Sequence, residues 1–392
     1  MRRPARPATL TPLRPARRLP RVGSRIAAIL VMGALVTSGC STSSSGAAGA
    51  DPTASTELKA EGVGAPDSSS DASSSTAAPL YVDGEVRSGD NDLGDEGSSA
   101  VLDYWTDEQM AEAIPAEVPE TDEEVRAEIE NREALEKDGP EVVSDPVEGT
   151  DTTSDRKATD VTNFSRTNGK VFYRNATDGK NYVCSGSAVN SASQRLVATA
   201  AHCVHGGPGG AWHQNWIFVP GYDNGDRPYG SFQGAGFRTF NNWIDFGPTA
   251  QGFASDVAFV TTFDNADGKT VVDTVGGHGL TTGGSTFAYD VNVFGYPANI
   301  DDGQNMMACW GQSSMTAIDQ EPFSGISGCG FGGGASGGPW LTGYDDATGL
   351  GKLKSVSSWV PMNSVETING PFFGTSVRTL FELADTDWGS WG

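Results

Sequence analysis

The chain has 392 residues, with 26 lysines and arginines against 50 aspartates and glutamates, which gives a formal net charge of −24 at pH 7. Such an acidic balance argues against nucleic acid as a partner, because binding a phosphate backbone takes clustered basic side chains. The excess of acidic residues is unevenly distributed along the chain. Residues 41–160 include 31 acidic and 7 basic residues, whereas 161–392 include 19 acidic and 11 basic residues. We interpret the charge of the N-terminal part as an aid to solubility.

The N-terminus has the pattern of an export signal. Eight arginines and no acidic residue precede Ile26–Val36, an apolar run of 11 residues. That run is shorter than the roughly 20 residues that span a bilayer, and it comes after a basic region as the core of a signal peptide does. It ends in Val-Thr-Ser-Gly-Cys40, which resembles a bacterial lipobox with Thr37 where leucine is usual. We predict a signal peptide over 1–40, an extracytoplasmic chain, and membrane attachment only through lipid on Cys40; an ordinary cleavage site with an incidental cysteine is the alternative.

Two further segments precede the part with the composition of a folded domain. Residues 41–100 are rich in serine, alanine, glycine and aspartate, so they cannot bury enough apolar surface to fold, and we predict a disordered spacer. Residues 101–160 contain two helix starts in capping-box spacing, because Thr106 and Thr121 each have glutamine or glutamate three positions later. We predict an acidic, partly helical segment there. It is either a pro-segment that covers or helps to fold the C-terminal domain, or a solvated charged helix.

Three short stretches carry residues suited to nucleophilic catalysis. Ser336 lies within Gly332–Trp340, where small flanking residues allow a tight turn with an exposed hydroxyl and converging backbone N–H groups. His202 comes after an apolar run in Thr199–Cys203, and its side chain titrates near neutral pH, so it is able to take the proton of a serine. Asp256 stands at the head of another apolar run, where it can be buried against an imidazole. The chain order is therefore His, Asp, Ser.

Thr-Ala-Ala-His-Cys, Asp-Val-Ala-Phe and Gly-Ala-Ser-Gly-Gly-Pro resemble the signature segments of the chymotrypsin-like (trypsin-like) serine peptidases, in particular their bacterial secreted branch. The chain order also agrees with that family. The resemblance covers 161–392 and implies an all-β fold of two antiparallel six-stranded Greek-key β-barrels. It implies a secreted or lipid-anchored serine endopeptidase that cleaves proteins or peptides through an acyl-enzyme intermediate as a monomer, without cofactor or metal. A zymogen is expected if 101–160 is a pro-segment. A catalytically silent homologue acting as a surface binding module and an esterase-like acyl hydrolase are the alternatives.

The pattern of the last 232 residues agrees with an all-β fold. Short runs rich in β-branched and aromatic residues are separated by clusters of turn residues, which predicts strands. The predicted strands are Lys170–Tyr173, Tyr182–Val189, Trp216–Val219, Asp256–Phe263, Tyr289–Tyr296 and Leu353–Val360. A helix is predicted only near the end, over Thr379–Asp385.

The resemblance assigns roles to the catalytic residues. Ser336 is the nucleophile, His202 the general base and acid, and Asp256 the group that stabilises the imidazolium. The backbone N–H groups of Gly334 and Ser336 form the oxyanion hole. Zymogen-type members have an aspartate before the nucleophile, whereas this chain has Ala335. Gly334 must then be held by other contacts.

The resemblance also implies a substrate-binding strand. Ser358, Trp359 and Val360 stand where the family pairs with the substrate backbone and walls the pocket for the residue before the cleaved bond. Val360 replaces the usual glycine, which narrows the entrance, and Gly330 near the pocket floor has no charge. A small or medium apolar residue is therefore our preference over arginine or lysine.

The cysteines and the remaining histidines complete the site predictions. The resemblance implies disulfides between Cys184 and Cys203 and between Cys309 and Cys329; metal binding is disfavoured because the spacings lack the C-x-x-C form of zinc sites. The other histidines lie outside the catalytic motif, and we expect each to be a surface polar residue. They are His205, His213 and His278.

Overall fold

The computed structural model describes residues 86–90, 97–117, 120–121, 138–150, 164–319, 321–361 and 364–386. The predicted signal peptide, Cys40 and most of the predicted spacer lie outside these ranges. Within them, none of the helices has the length and apolar character needed to cross a bilayer.

Short elements precede the main fold: β1 (Val86–Asp90), α1 (Gly97–Tyr104), α2 (Asp107–Ala111), β2 (Ile114–Pro115), β3 (Glu120–Thr121) and β4 (Val142–Val143). The predicted capping box at the start of α2 is confirmed, because the Thr106 hydroxyl accepts from the Gln109 N–H and the Gln109 side chain accepts from the Thr106 N–H. Thr121 ends β3, and the second predicted helix lies outside the described residues.

The first half of the main fold is a closed six-stranded barrel. Its strands are β5 (Asn168–Arg174), β6 (Asn181–Val189), β7 (Leu196–Thr199), β8 (Gln214–Pro220), β9 (Phe232–Phe240) and β10 (Ala258–Thr262). All neighbouring pairs are antiparallel in the order β8-β5-β6-β7-β10-β9, and β9 returns to β8. Helices α3 (Asn241–Phe246) and α4 (Ala250–Phe253) lie between β9 and β10. Buried Val171, Phe218 and Val260 belong to the barrel core.

The second half contains α5 (Val271–Val275), β11 (Gly279–Thr282), β12 (Asp290–Gly295), β13 (Met307–Gln312), β14 (Ser314–Ile318), β15 (Glu321–Ser327), β16 (Pro339–Asp345), β17 (Leu350–Val356), β18 (Val360–Pro361), β19 (Thr367–Pro371) and α6 (Thr375–Thr386). One sheet runs β13-β12-β16-β17-β11-β4 and another β14-β15-β19. Backbone hydrogen bonds between Trp359 and Asn369 connect the end of the first sheet to the second. Helix α6 packs back on the first barrel, where Phe381 meets Phe259 edge to face.

The elements before residue 164 pack on these two halves. β1 pairs antiparallel with β9, and β4 pairs antiparallel with β11. β2 pairs in parallel with β6, and β3 in parallel with β18. β1 lies within 41–100, where composition predicted a disordered spacer. This part of the predicted spacer is therefore an ordered strand.

The all-β prediction of two β-barrel halves is confirmed, and each of the predicted strands overlaps an observed one. The second half is built of two sheets joined at Trp359 and Asn369 rather than one continuous ladder. The predicted C-terminal helix is confirmed as α6, which begins at Thr375 rather than Thr379. Strands without a run of β-branched residues, such as Phe232–Phe240 with its Gln-Gly-Ala-Gly, were not predicted.

Candidate active site

His202 lies in a short 3-10 turn, Ala201–Cys203, that comes directly after β7. The predicted disulfide between Cys184 and Cys203 is confirmed, with the two Cα atoms 6.3 Å apart. It joins β6 to the turn that carries His202. A crosslink closing a loop of this size stabilises a fold by about 3 kcal/mol, and here it also limits movement of the histidine.

Asp256 is fully buried, and its carboxylate is surrounded by donors. It accepts from the His202 backbone N–H at 2.9 Å, lies 2.8 Å from His202 Nδ1, and accepts from the Ser358 hydroxyl at 2.6 Å. These donors offset the cost of burying a carboxylate. Because an ionised carboxylate only accepts, the Nδ1 atom carries the hydrogen in this arrangement and Nε2 is left as the acceptor.

Ser336 lies on the other side of the same disulfide. Its carbonyl oxygen accepts from the Ser185 N–H at 2.7 Å and is 3.7 Å from Cys203 Sγ. Ser336 is fully buried, and both its Oγ atom and His202 Nε2 lack a hydrogen-bond partner among the described residues. His202 and Asp256 are thus in direct contact, and Ser336 lies next to the turn that carries His202, through its carbonyl oxygen and Cys203 Sγ.

The turn around Ser336 depends on glycine. Gly337 has φ +78°, and a Cβ added to it would lie 2.1 Å from Thr199 Oγ1 and 2.4 Å from the Ser185 carbonyl oxygen. A Cβ at Gly338 would lie 2.0 Å from the Phe294 carbonyl oxygen. No other residue fits such close backbone approaches. The serine is therefore positioned by the backbones of both halves.

The peptide between Gly333 and Gly334 has a fixed orientation. The Ala298 N–H donates to the Gly333 carbonyl oxygen at 2.8 Å, and a planar trans peptide then points the Gly334 N–H in the opposite direction. The Ser185 hydroxyl donates to the Gly334 carbonyl oxygen at 2.8 Å and accepts from the Tyr296 N–H at 2.9 Å. The predicted oxyanion donor at Gly334 is thus held on both sides.

Asn299 braces the same loop. Its Oδ1 atom accepts from the Gly332 N–H and its Nδ2 atom donates to the Gly330 carbonyl oxygen, both at 2.8 Å. Ala335, at the position of the aspartate of zymogen-type chains, is buried and has no charge, so the loop is held by contacts such as these. Sequence reasoning missed Asn299, because an asparagine after Tyr-Pro-Ala resembles an ordinary turn residue.

The Gly334 N–H donates at 2.8 Å to the carbonyl oxygen of Ala116, a residue of the acidic N-terminal segment. The position predicted for a substrate's carbonyl oxygen is therefore occupied by the chain's own backbone.

Neither a protein-family model nor a curated protein matches the chain, but proteases of known structure do. The chain is similar to the protease Anisep from Arthrobacter nicotinovorans, with 31% identity, 56% of this chain and 96% of that chain covered, and a TM-score of 0.49. It is also similar to the thermostable serine protease AL20 from an extremophilic microorganism, with 29% identity, 57% and 98% covered, and a TM-score of 0.48.

Identity of 31% over 96% of Anisep agrees with the three signature segments. This chain belongs to the chymotrypsin-like serine proteases. The three signature segments lie within 161–392.

The strand predicted to bind substrate is buried. The Ser358 hydroxyl donates to the Asp256 carboxylate. The Trp359 ring packs against the rings of Phe253 and Phe323. Ser358, Trp359 and Val360 are all buried, with at most 2% of their surface exposed. Val360 pairs with Glu120 of β3.

The expectation that the other histidines are surface residues is wrong. His205, His213 and His278 are buried, and burial lowers the pKa of His205 to about 4 and that of the other two to about 3. His213 Nε2 lies 3.2 Å from the His202 carbonyl oxygen, and its ring stacks on Tyr173 at 4.3 Å. The neighbouring glycines and tryptophan suggest loops, but the imidazoles pack against residues that are distant in the sequence, as His213 does on Tyr173.

The disulfides also bear on the metal alternative for the cysteines. Cys184, His202 and Cys203 place ligand atoms within 4.8 Å of one another. Both sulfurs are joined to each other, however, so neither is a free thiolate. The second predicted disulfide, Cys309 with Cys329, is confirmed as well and ties β13 to the loop before Ser336.

Proposed function

We propose that this protein is an extracytoplasmic serine endopeptidase that hydrolyses peptide bonds through Ser336, His202 and Asp256. The observation that carries the proposal is the fully buried Asp256 carboxylate bonded to both the backbone N–H and Nδ1 of His202. His202 Nε2 and Ser336 Oγ have no hydrogen-bond partner among the described residues, which leaves both atoms available for proton transfer.

In the proposed reaction, Ser336 Oγ attacks a peptide carbonyl carbon while its proton passes to His202 Nε2. Asp256 stabilises the imidazolium that results. The carbonyl oxygen becomes an oxyanion and accepts from the Gly334 and Ser336 N–H groups, each such donor contributing about 3 kcal/mol to transition-state stabilisation. His202 then protonates the leaving amine, and water repeats the sequence on the acyl-enzyme.

The proposed location rests on the two disulfides, because such bonds persist in oxidising compartments. It agrees with an export signal over 1–40 and with lipid attachment at Cys40, both of which remain predictions. Protein or peptide substrates are proposed by analogy with the proteases to which the chain is similar.

The test is the intact mass of the chain after incubation with a fluorophosphonate, which reacts with an activated serine. Because Ala116 occupies the oxyanion hole, both the parent chain and an Ala116→Pro variant are labelled. One added label, absent when Ser336→Ala is introduced, is the expected result. Labelling that persists in Ser336→Ala, or no label on either chain, would contradict the proposal. Turnover of matched peptide and ester substrates would then separate an endopeptidase from an esterase.

A further inference from the structure

We propose that residues 114–117 and 120–121, called the inhibitor segment below, lie in the active-site cleft in the direction opposite to a substrate and hold the enzyme in a latent form. This inhibition rests on the proposed function, because it is the regulation of that same site. The contacts of Ala116, β2 and β3 carry it.

Ala116 is bound on both sides of its own backbone. Its N–H donates to the Val183 carbonyl oxygen at 2.9 Å, and its carbonyl oxygen accepts from the Gly334 N–H at 2.8 Å. Only 4% of the residue is exposed. A Cβ added at Gly333 would lie 2.9 Å from the Ala116 carbonyl oxygen, so the segment is in close contact with the loop that carries the nucleophile. An acyl group and Ala116 cannot use the Gly334 N–H together.

The inhibitor segment is also paired on either side of the oxyanion hole. Before Ala116, Pro115 is in parallel register with Val183 of β6. After it, Glu120 is in parallel register with Val360 of β18. Val360 belongs to the strand that we predict pairs with substrate. The segment therefore covers the cleft on both sides of Ser336.

The order of these contacts gives the chain direction. In the predicted substrate orientation, the residues before the cleaved bond lie against Ser358–Val360, because that strand walls the pocket for the residue that supplies the attacked carbonyl. In the inhibitor segment the residues before the Ala116 carbonyl lie at β6, and the residues after it lie at β18. The segment thus runs through the cleft in reverse.

The reversed chain direction explains why the inhibitor segment can lie in the cleft without being cleaved. Hydrolysis at Ala116 would require His202 to protonate the nitrogen of Glu117. The chain after Ala116 leads to β18, whereas His202 is tied to the β6 side by the Cys184–Cys203 disulfide. The nitrogen is therefore on the side where a substrate has its acyl part, and the geometry for leaving-group protonation is lost.

The inhibitor segment is anchored by the helices before it. Trp105 and Met110 are buried with Phe172 and Ile217 of the first barrel, and Trp105 Nε1 donates to the Asn215 carbonyl oxygen at 2.5 Å. A covalently linked segment acts at an effective concentration of roughly millimolar, so modest contacts are enough to hold it in the cleft.

The oxyanion hole is already formed beneath the segment. Ala298 and Ser185 hold the peptides on both sides of Gly334, and those contacts do not involve Ala116. Release of the segment is then sufficient for activation, without a new terminus that reorders the hole. Removing one of the two hydrogen bonds of Ala116 should therefore favour release of the segment and raise the reactivity of Ser336.

The test measures the rate of fluorophosphonate labelling of the full chain. Ala116→Pro removes the N–H donated to Val183 and places a ring against that carbonyl. We expect labelling at least about tenfold faster than in the parent, since loss of one net hydrogen bond changes an equilibrium by about that factor. Ala266→Pro, at an exposed position in the Asn265–Gly268 turn outside the inhibitor segment, is the matched control and should label at the parent rate.

A second variant guards against misfolding of the first. Trp105→Ala weakens the anchor outside the cleft and should also accelerate labelling. A synthetic peptide with the sequence of residues 113–121 should slow the labelling of both variants and remain uncut by mass spectrometry.

The outcomes separate this inhibition from the proposed function. Equal labelling rates in the parent, Ala116→Pro and Trp105→Ala would overturn the inhibitor and leave the proposed function standing. Cleavage of the peptide between Ala116 and Glu117 would overturn the reversed direction. Absence of Ser336 labelling in all three chains would overturn the proposed function and the inhibitor with it.

Discussion

The two sides of the candidate site are held in different ways. On the histidine side, His202 is fixed by side-chain contacts, through the Asp256 carboxylate and the disulfide at Cys203. On the serine side, Ser336 is fixed almost entirely by backbone contacts, with glycines where any Cβ would collide. The histidine side is therefore vulnerable to loss of a functional group, whereas the serine side is vulnerable to gain of a single carbon.

The greatest loss of stability is expected on the serine side. Gly337→Ala would place a Cβ 2.1 Å from Thr199 Oγ1 and 2.4 Å from the Ser185 carbonyl oxygen at φ +78°. We expect loss of on the order of 4 kcal/mol of unfolding free energy or failure to fold, since backbone must move. Gly209→Ala is the control, because it has φ +71° with nothing within 4 Å of the added carbon. Urea unfolding should show a loss of about 1 kcal/mol for that control. Similar losses in both variants would mean that strain in φ, not the close approach, makes Gly337 necessary.

On the histidine side, substitution of Asp256 should lower the labelling rate of Ser336 rather than the stability of the fold. Asp256→Asn keeps the size of the side chain, but it removes the charge and lets an amide N–H face His202 Nδ1, which favours the wrong tautomer. In the Ala116→Pro background we expect the labelling rate of Ser336 to fall by on the order of 10⁴. Unfolding free energy should change much less than in Gly337→Ala. The control is Ser358→Ala, which removes one donor to Asp256 and leaves the charge. A labelling rate in Asp256→Asn within tenfold of the parent background would exclude the role proposed for Asp256.

Asn299, like Ser185, contributes side-chain hydrogen bonds on the serine side, where most contacts are made by backbone. Asn299→Ala removes both bonds that brace Gly330 and Gly332. We expect kcat to fall about 10- to 100-fold with KM nearly unchanged, since misplacement of an oxyanion donor affects the transition state more than binding. Asn299→Asp keeps the acceptor for Gly332 and loses the donor to Gly330, so it should lie between the parent and the alanine variant. A rise in KM without a fall in kcat would assign Asn299 to substrate binding instead.

Separation along the chain explains which features were predictable from the sequence. The strands and the residues of the histidine side carry local patterns, because apolar periodicity and side-chain chemistry are written in consecutive residues. The disulfide pairing, in contrast, is implied by the family resemblance. Ser185, Asn299 and Ala116 carry no such pattern. Asn299 and Ser185 reach the Gly334 loop across 33 and 149 residues of chain, and Ala116 bonds there only through its backbone, so no local rule specifies these contacts. The burial of His213 was missed for the same reason, since Tyr173 and His202, which contact its ring, are 40 and 11 residues away in the chain.

A further effect concerns acid stability on the histidine side. His213 titrates with a pKa of about 3 in the folded chain because burial disfavours its charged form, against 6.5 when exposed. As pH falls below 6.5, the unfolded chain takes up a proton that the folded chain does not, so unfolding free energy decreases until pH approaches 3. Between about pH 7 and about pH 4.5 this one group should remove about 2.5 kcal/mol. His213→Gln cannot titrate, and carboxylates shared by both chains cancel when the two pH differences are compared by urea unfolding. The variant should lose less stability than the parent over that interval. An equal loss would show that His213 gains its proton in the folded chain, which would require the Tyr173 stack and the contact with the His202 carbonyl to open at mildly acidic pH.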